Sequence, residues 1–177
     1  GFAAFIGSQA FISYTTSGLE NSLLFFLSAL FIWQLSKSEI YNAREILILA
    51  VIFSLSAMTR MDSVLLFIPV IVWIYLFKRD KVSFIKAVGI GILGLMPFIL
   101  WEVFATFYFG FPFPNPAYVK LGTNIAESEY IQRGIVYTIY TGMDDIVVLM
   151  LPVLYLLMSI ISKKLRYIMV AGGVVLY

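Results

Sequence analysis

The sequence predicts an all-α fold, a polytopic helical bundle embedded in a membrane. Three observations carry this. Of 177 residues, 62% are hydrophobic and 12% charged, against about 45–50% and about 25% in a soluble domain. Mean hydropathy is +0.97. The apolar residues gather in runs approaching the roughly 20 residues a membrane helix needs, and most charges fall between the runs. Composition also excludes several chemistries. The chain has no Cys and no His, so disulfides, thiol nucleophiles, Cys/His metal sites and an imidazole base are ruled out. Acid–base work falls to Asp, Glu, Lys, Arg or Tyr. A net charge of +2 is too small to suggest a nucleic-acid partner. The chain starts at Gly1 inside an apolar run. The expectation is a single transmembrane domain over 1–177, belonging to a longer protein and preceded there by further spans and a first extracytoplasmic loop.

The elements follow in order. Residues 2–14 read as the end of a span or a helix lying in the interface. Full spans are expected at 22–36 (SLLFFLSALFIWQLS), 46–58 (ILILAVIFSLSAM), 63–77 (SVLLFIPVIVWIYLF), 87–108 (AVGIGILGLMPFILWEVFATFY) and 146–161 (IVVLMLPVLYLLMSII). A sixth begins at Tyr167. Pro69, Pro97 and Pro152 lie inside spans and should kink them. Residues 89–94, GIGILG, match the dinucleotide-binding pattern G-x-G-x-x-G. No strand precedes them, so close helix packing through small residues is the better reading. Residues 130–142 are weakly amphipathic and aromatic and suit a helix in the interface.

The connections set the orientation. Lys37, Arg44, Lys78, Arg79, Lys81, Lys86, Lys163, Lys164 and Arg166 fall on one side of the alternation; Arg60, Lys120 and Arg133 fall on the other. Basic loops face the cytoplasm. The opposite face also takes Glu20, Asp62, Glu102, Glu127, Glu129, Asp144 and Asp145. The loops around 15–21, 59–63 and 109–145 are therefore expected to be extracytoplasmic.

Those loops carry the irregular sequence. In TTSGLEN (15–21), Ser17 and Glu20 have capping-box spacing, S-x-x-E. In TRMDS (59–63), a tight turn sets Arg60 beside Asp62. A lone outer Arg calls for an anion, either Asp62 or a bound phosphate. In FGFPFPNPAYVKLGTN (109–124), three prolines in five residues impose a stiff extended path, with Asn115 and Lys120 as its polar points. Glu102 is the one charge inside an expected span, either a functional carboxylate or one that snorkels outward. Asp144 and Asp145 either cap the following helix or hold a divalent cation through oxygen ligands.

Three motifs in this order resemble the multi-pass glycosyltransferases of the GT-C superfamily. The resemblance is to members near the terminal arabinofuranosyltransferases and the dolichyl-phosphate-mannose mannosyltransferase-like group. The family patterns G-[LM]-E-T, R-P-[DE]-G and Y-[YF]-G-x-x-[LF]-P-N-x-x-Y-x-K correspond here to three stretches. These are Gly18-Leu19-Glu20-Asn21, Arg60-Met61-Asp62-Ser63 and residues 108–120, YFGFPFPNPAYVK. Asn21, Met61 and Ser63 depart from the pattern; every charged position is kept. The likeness covers roughly residues 15–125.

The resemblance implies transfer of a sugar from a polyprenyl-phosphate donor. The acceptor would be a lipid-linked glycan, polysaccharide or protein on the extracytoplasmic face of a bacterial cytoplasmic membrane, in envelope polysaccharide synthesis. The main base would lie in a loop before Gly1. Within this chain, Asp62 and Glu20 are the candidate catalytic carboxylates. Arg60 and Lys120 are the candidate donor-phosphate ligands, and Asn115, Tyr118 and Glu102 the candidate substrate contacts. No cofactor is firmly implied beyond an optional divalent cation. Two other readings stay open: a secondary transporter, which needs ionisable groups at mid-membrane, and a non-catalytic subunit of an envelope-assembly complex.

Overall fold

The computed structural model describes residues 8–16, 20–111 and 127–177. Among them the regular structure is helical, and no strand is formed. The helices are α1 (Gln9–Thr16), α2 (Asn21–Ser36), α3 (Ala43–Thr59), α4 (Val64–Trp73), α5 (Phe84–Gly94), α6 (Met96–Phe109), α7 (Glu127–Asp144), α8 (Ile146–Ser162) and α9 (Leu165–Leu176). A 3-10 turn, Met61–Ser63, leads into α4, and a π-helical turn, Ile74–Lys78, leads out of it.

Helix α3 is the hub, touching α2, α4, α5 and α6; α9 lies along α4, and α8 along α9. Apolar residues at helical spacing build the core between these elements. Leu27, Phe31 and Leu35 of α2 meet Ile46, Leu49 and Ile52 of α3 and Phe67, Val70 and Trp73 of α4. The Phe31 and Phe67 rings pack 4.6 Å apart. Glycines allow close approaches between helices. A Cβ on Gly94 would lie 2.5 Å from Ala50 Cβ, and one on Gly173 would run into the Leu66 carbonyl. The packing expected of the GIGILG run is therefore present at Gly91, which faces Tyr75, and at Gly94, but not at Gly89, whose surroundings are open.

The expected fourth span, 87–108, is two helices. α5 and α6 meet at a 53° bend. Pro97 has no N–H to donate to the Leu93 carbonyl, and its ring would crowd that turn. Leu95 instead donates to Gly91 O (2.9 Å) and Ile92 O (3.1 Å), and Pro97 sits in the first turn of a new helix. That helix is capped from outside: Phe98 N–H donates to Ser54 Oγ of α3 at 3.0 Å. Pro97 thus opens a helix rather than kinking one, while Pro69 and Pro152 lie inside α4 and α8.

Five to six spans were expected. Among the described residues one stretch, Met61–Lys78, is long and apolar enough to cross a membrane, or two if the bent pair counts as one. The helices themselves fall where the sequence places them. They are short: 16 residues in α2 give about 24 Å at 1.5 Å per residue. The stretch at 130–142 is helical, within α7.

The end carrying most of the Lys and Arg is tied together through backbone. Tyr41, between α2 and α3, is fully buried. Its hydroxyl donates to Leu35 O (2.7 Å), its N–H donates to Lys78 O (2.7 Å), and its carbonyl accepts from Asp80 N–H (2.8 Å). Asn42 and Glu45 form a reciprocal capping box that starts α3. Arg166 of α9 donates to Ser38 O at 2.5 Å and pairs with Glu39 at 3.2 Å. Burial pushes the Tyr41 phenol up to about 12; Arg166 opposes that rise, and Glu39 and Glu45 add to it.

Candidate functional site

At the opposite end, the chain leaves α3 through Arg60, whose backbone is extended (φ −149°, ψ 121°). Arg60 N–H still donates to Ser56 O at 2.9 Å, and Arg60 O accepts from Ser63 N–H at 3.1 Å. From there the guanidinium reaches forward along the chain onto Asp62. Nε donates to Oδ1 at 3.0 Å and Nη2 to Oδ2 at 2.8 Å, a bidentate fork matched to the carboxylate.

The third group comes from far along the sequence. α2 packs antiparallel on α3, so the start of α2 lies beside the end of α3. Glu20 precedes α2, and its Oε1 accepts from Arg60 Nη1 at 3.2 Å across 40 positions of sequence. Glu20 is the residue before α2, but its side chain makes no cap hydrogen bond. The expected capping partner, Ser17, lies outside the described residues. The charge of Glu20 serves Arg60 instead of the helix.

Arg60 holds two carboxylates at once, and the three groups sum to −1. All are partly open to solvent, with side-chain exposures of 34% for Arg60, 44% for Glu20 and 49% for Asp62. The hydrogen bond to Asp62 raises the Arg60 pKa further, against a partial offset from burial. A guanidinium has five N–H groups, and these bonds use three. Just below, the Ser63 hydroxyl is fully buried with no partner among the described residues.

Other groups gather nearby. Tyr177, after α9, is close enough to feel the charges of Asp62, Arg60 and Glu20. Tyr14 of α1 feels Arg60 and hydrogen-bonds Tyr137 of α7. Ser8 Oγ donates to Asp145 Oδ2 at 2.6 Å, while Asp145 Oδ1 accepts from Val147 N–H at 3.1 Å. Asp145 is thus the cap of α8, the first of its two expected roles. Among the described residues no three Asp or Glu side chains gather as a metal site would require.

The remaining candidates stand apart. Glu102 is half-buried on α6, and its carboxylate has no ion pair or hydrogen bond to the Arg60 group among the described residues. Asn115, Tyr118 and Lys120 lie outside the described residues. Tyr14 and Tyr177 were missed because nothing local in their sequence marks them; only the packing of α1 and α9 brings them here. Comparison of the chain with protein families, curated proteins and solved structures finds no match.

Proposed function

We propose that this chain is part of a polytopic membrane glycosyltransferase of the GT-C type. It would move a sugar from a polyprenyl-phosphate donor to a lipid-linked glycan, polysaccharide or protein on the extracytoplasmic face of a bacterial cytoplasmic membrane. The observation that carries this reading is Arg60 joined to both Glu20 and Asp62, at the end of the bundle away from the basic loops. Two of the motif charges that the family resemblance singles out, 40 residues apart, meet in one group. The membrane setting is supported by large apolar side chains left open on the helices, among them Phe26, Phe77, Leu100, Phe107 and Ile161, since broad exposed apolar surface marks a membrane or partner contact.

In the proposed reaction the acceptor oxygen attacks the anomeric carbon. The bond from that carbon to the donor phosphate oxygen breaks with its electron pair, and the acceptor proton passes to a carboxylate. Asp62 or Glu20 serves as that carboxylate or binds sugar hydroxyls, beside a main base expected earlier in the longer protein. Arg60 fixes the spacing of the two carboxylates, and its two remaining N–H groups can meet the leaving phosphate. Lys120 supplies a second cation, because charge grows on the phosphate in the transition state. Asn115, Tyr118 and Glu102 are proposed substrate contacts. A divalent cation is an optional partner in this chemistry.

The test uses the full-length protein in nanodiscs with radiolabelled polyprenyl-phosphate sugars and a membrane lipid extract. Asp62→Asn and Arg60→Ala should each cut transfer about 10²-fold or more, with melting behaviour retained. Turnover unchanged in both sinks the proposal and favours a non-catalytic subunit. A secondary transporter is the second reading, motivated by the 53° break at Leu95, since broken helices build transporter sites. Substrate uptake into vesicles without product formation would select it.

A further inference from the structure

Between the end of α4 and the start of α9 lies a cleft of about 190 Å³, lined by Trp73, Lys78, Lys164, Arg166, Tyr167 and Glu39. Two of its lining residues carry a donor that is buried beneath the cleft surface and has no partner among the described residues: Trp73 Nε1 and Arg166 Nε. Trp73 is 3% exposed, and the Arg166 side chain 13%. A buried N–H left unpaired is costly, and such groups are rare without a ligand or water to meet them.

The cleft is also electropositive. Lys78, Lys164 and Arg166 set three positive charges against the single carboxylate of Glu39, a balance of +2. Lys78 Nζ stands 5.7 Å from the Trp73 ring centre and Lys164 Nζ 6.0 Å from that of Tyr167, so both stems lie along the aromatic walls. Helix α9 starts here at Lys164 with no side chain capping it; Tyr167 N–H is taken by Lys164 O, and the Leu165 and Arg166 N–H groups have no partner within the helix. Fixed N–H donors, mobile ammonium groups and an open helix start together suit a tetrahedral oxyanion.

We propose that this cleft binds a phosphate group, carried by the headgroup of an anionic phospholipid. The lipid source rests on the membrane setting proposed above, and on the exposed Leu76 and Phe77 beside the cleft, which would meet acyl chains. Basic pockets between helices on the cytoplasmic side commonly take such headgroups.

The test is calorimetric titration of the full-length protein in dodecyl maltoside with dihexanoyl phosphatidic acid, dihexanoyl phosphatidylcholine or sodium phosphate. Phosphatidic acid should bind about ten-fold tighter than phosphatidylcholine or more. Lys78→Gln with Lys164→Gln should weaken it about ten-fold or more. Trp73→Phe, which keeps an aromatic ring but loses the pyrrole portion of the indole with its N–H, should weaken it several-fold. Sodium phosphate binding as tightly, with the same losses in the variants, would keep the phosphate site and overturn the lipid assignment. Absence of binding, or binding indifferent to the lysine variants, would overturn the proposal altogether. Sugar transfer is measured on the same samples. Transfer absent from wild-type protein that binds phosphatidic acid strikes at the enzyme reading alone, and normal transfer with no binding strikes at this site alone.

Discussion

Arg166 and Arg60 sit at opposite ends of the bundle and are held in opposite ways. Arg166 is nearly buried and reaches a backbone carbonyl, Ser38 O, besides its pair with the exposed Glu39. Around it, Tyr41 adds three further backbone-directed hydrogen bonds, one to Leu35 O of α2 and two that join the α2–α3 connection to Lys78 and Asp80 beyond α4. Arg60 is a third exposed and bonds side chains only, Asp62 and Glu20. Backbone partners cannot leave without unfolding something. Carboxylate partners can rotate away, and water replaces them cheaply. The buried end therefore fixes the fold, and the open end is free to exchange partners with a substrate.

The sharpest way to break this contrast is at Tyr41. Tyr41→Ala should lower unfolding stability in detergent by about 3–5 kcal/mol, the range for removing a buried large aromatic. A loss similar to that of an exposed residue would mean the two ends do not differ. Tyr41→Phe keeps the ring and removes the bond to Leu35 O, and should cost about 0.5–1.5 kcal/mol.

Titration sharpens the contrast further. Tyr41 is pushed up from 10.0 to about 12 in the folded chain, so its neutral form is the one the fold stabilises. That contribution is fully present below pH 10 and is lost as pH rises through about 12. The melting temperature should fall across that window in wild-type protein, and that component should vanish in Tyr41→Phe. The smallest stability effect belongs to Arg60→Ala, about 0.2–1 kcal/mol for partly exposed pairs, measured by the same melts. A loss as large as that of Tyr41→Ala would make Arg60 a structural group and remove the reason to place a reaction there.

How much of this is legible in the sequence depends on the range of the cause. The apolar runs locate α2, α3, α4 and α8, because each buries or exposes its own side chains along its own length. The Arg60–Asp62 pair is legible because a single residue, Met61, separates its members. The partnership with Glu20 is not, since it exists only once α2 lies against α3. The break at Leu95 hides because apolar composition continues through it; Gly94 and Pro97 are its signals, and both are diluted by a hydrophobic run. Ser17 and Glu20 have capping-box spacing, but so do Asn42 and Glu45, and it is the second pair that forms one. Tyr41 carries no local mark at all, standing between exposed Ile40 and exposed Asn42.

The hydroxyl of Ser54 has a bearing on biosynthesis. It meets the Phe98 amide across 44 positions, so the first turn of α6 takes its acceptor from a helix synthesised earlier. During translation α3 emerges first and can wait, whereas α6 emerges to find its acceptor already in place. A chain permuted to place α6 before α3 would lose that template and should assemble more slowly, even though every final contact is the same.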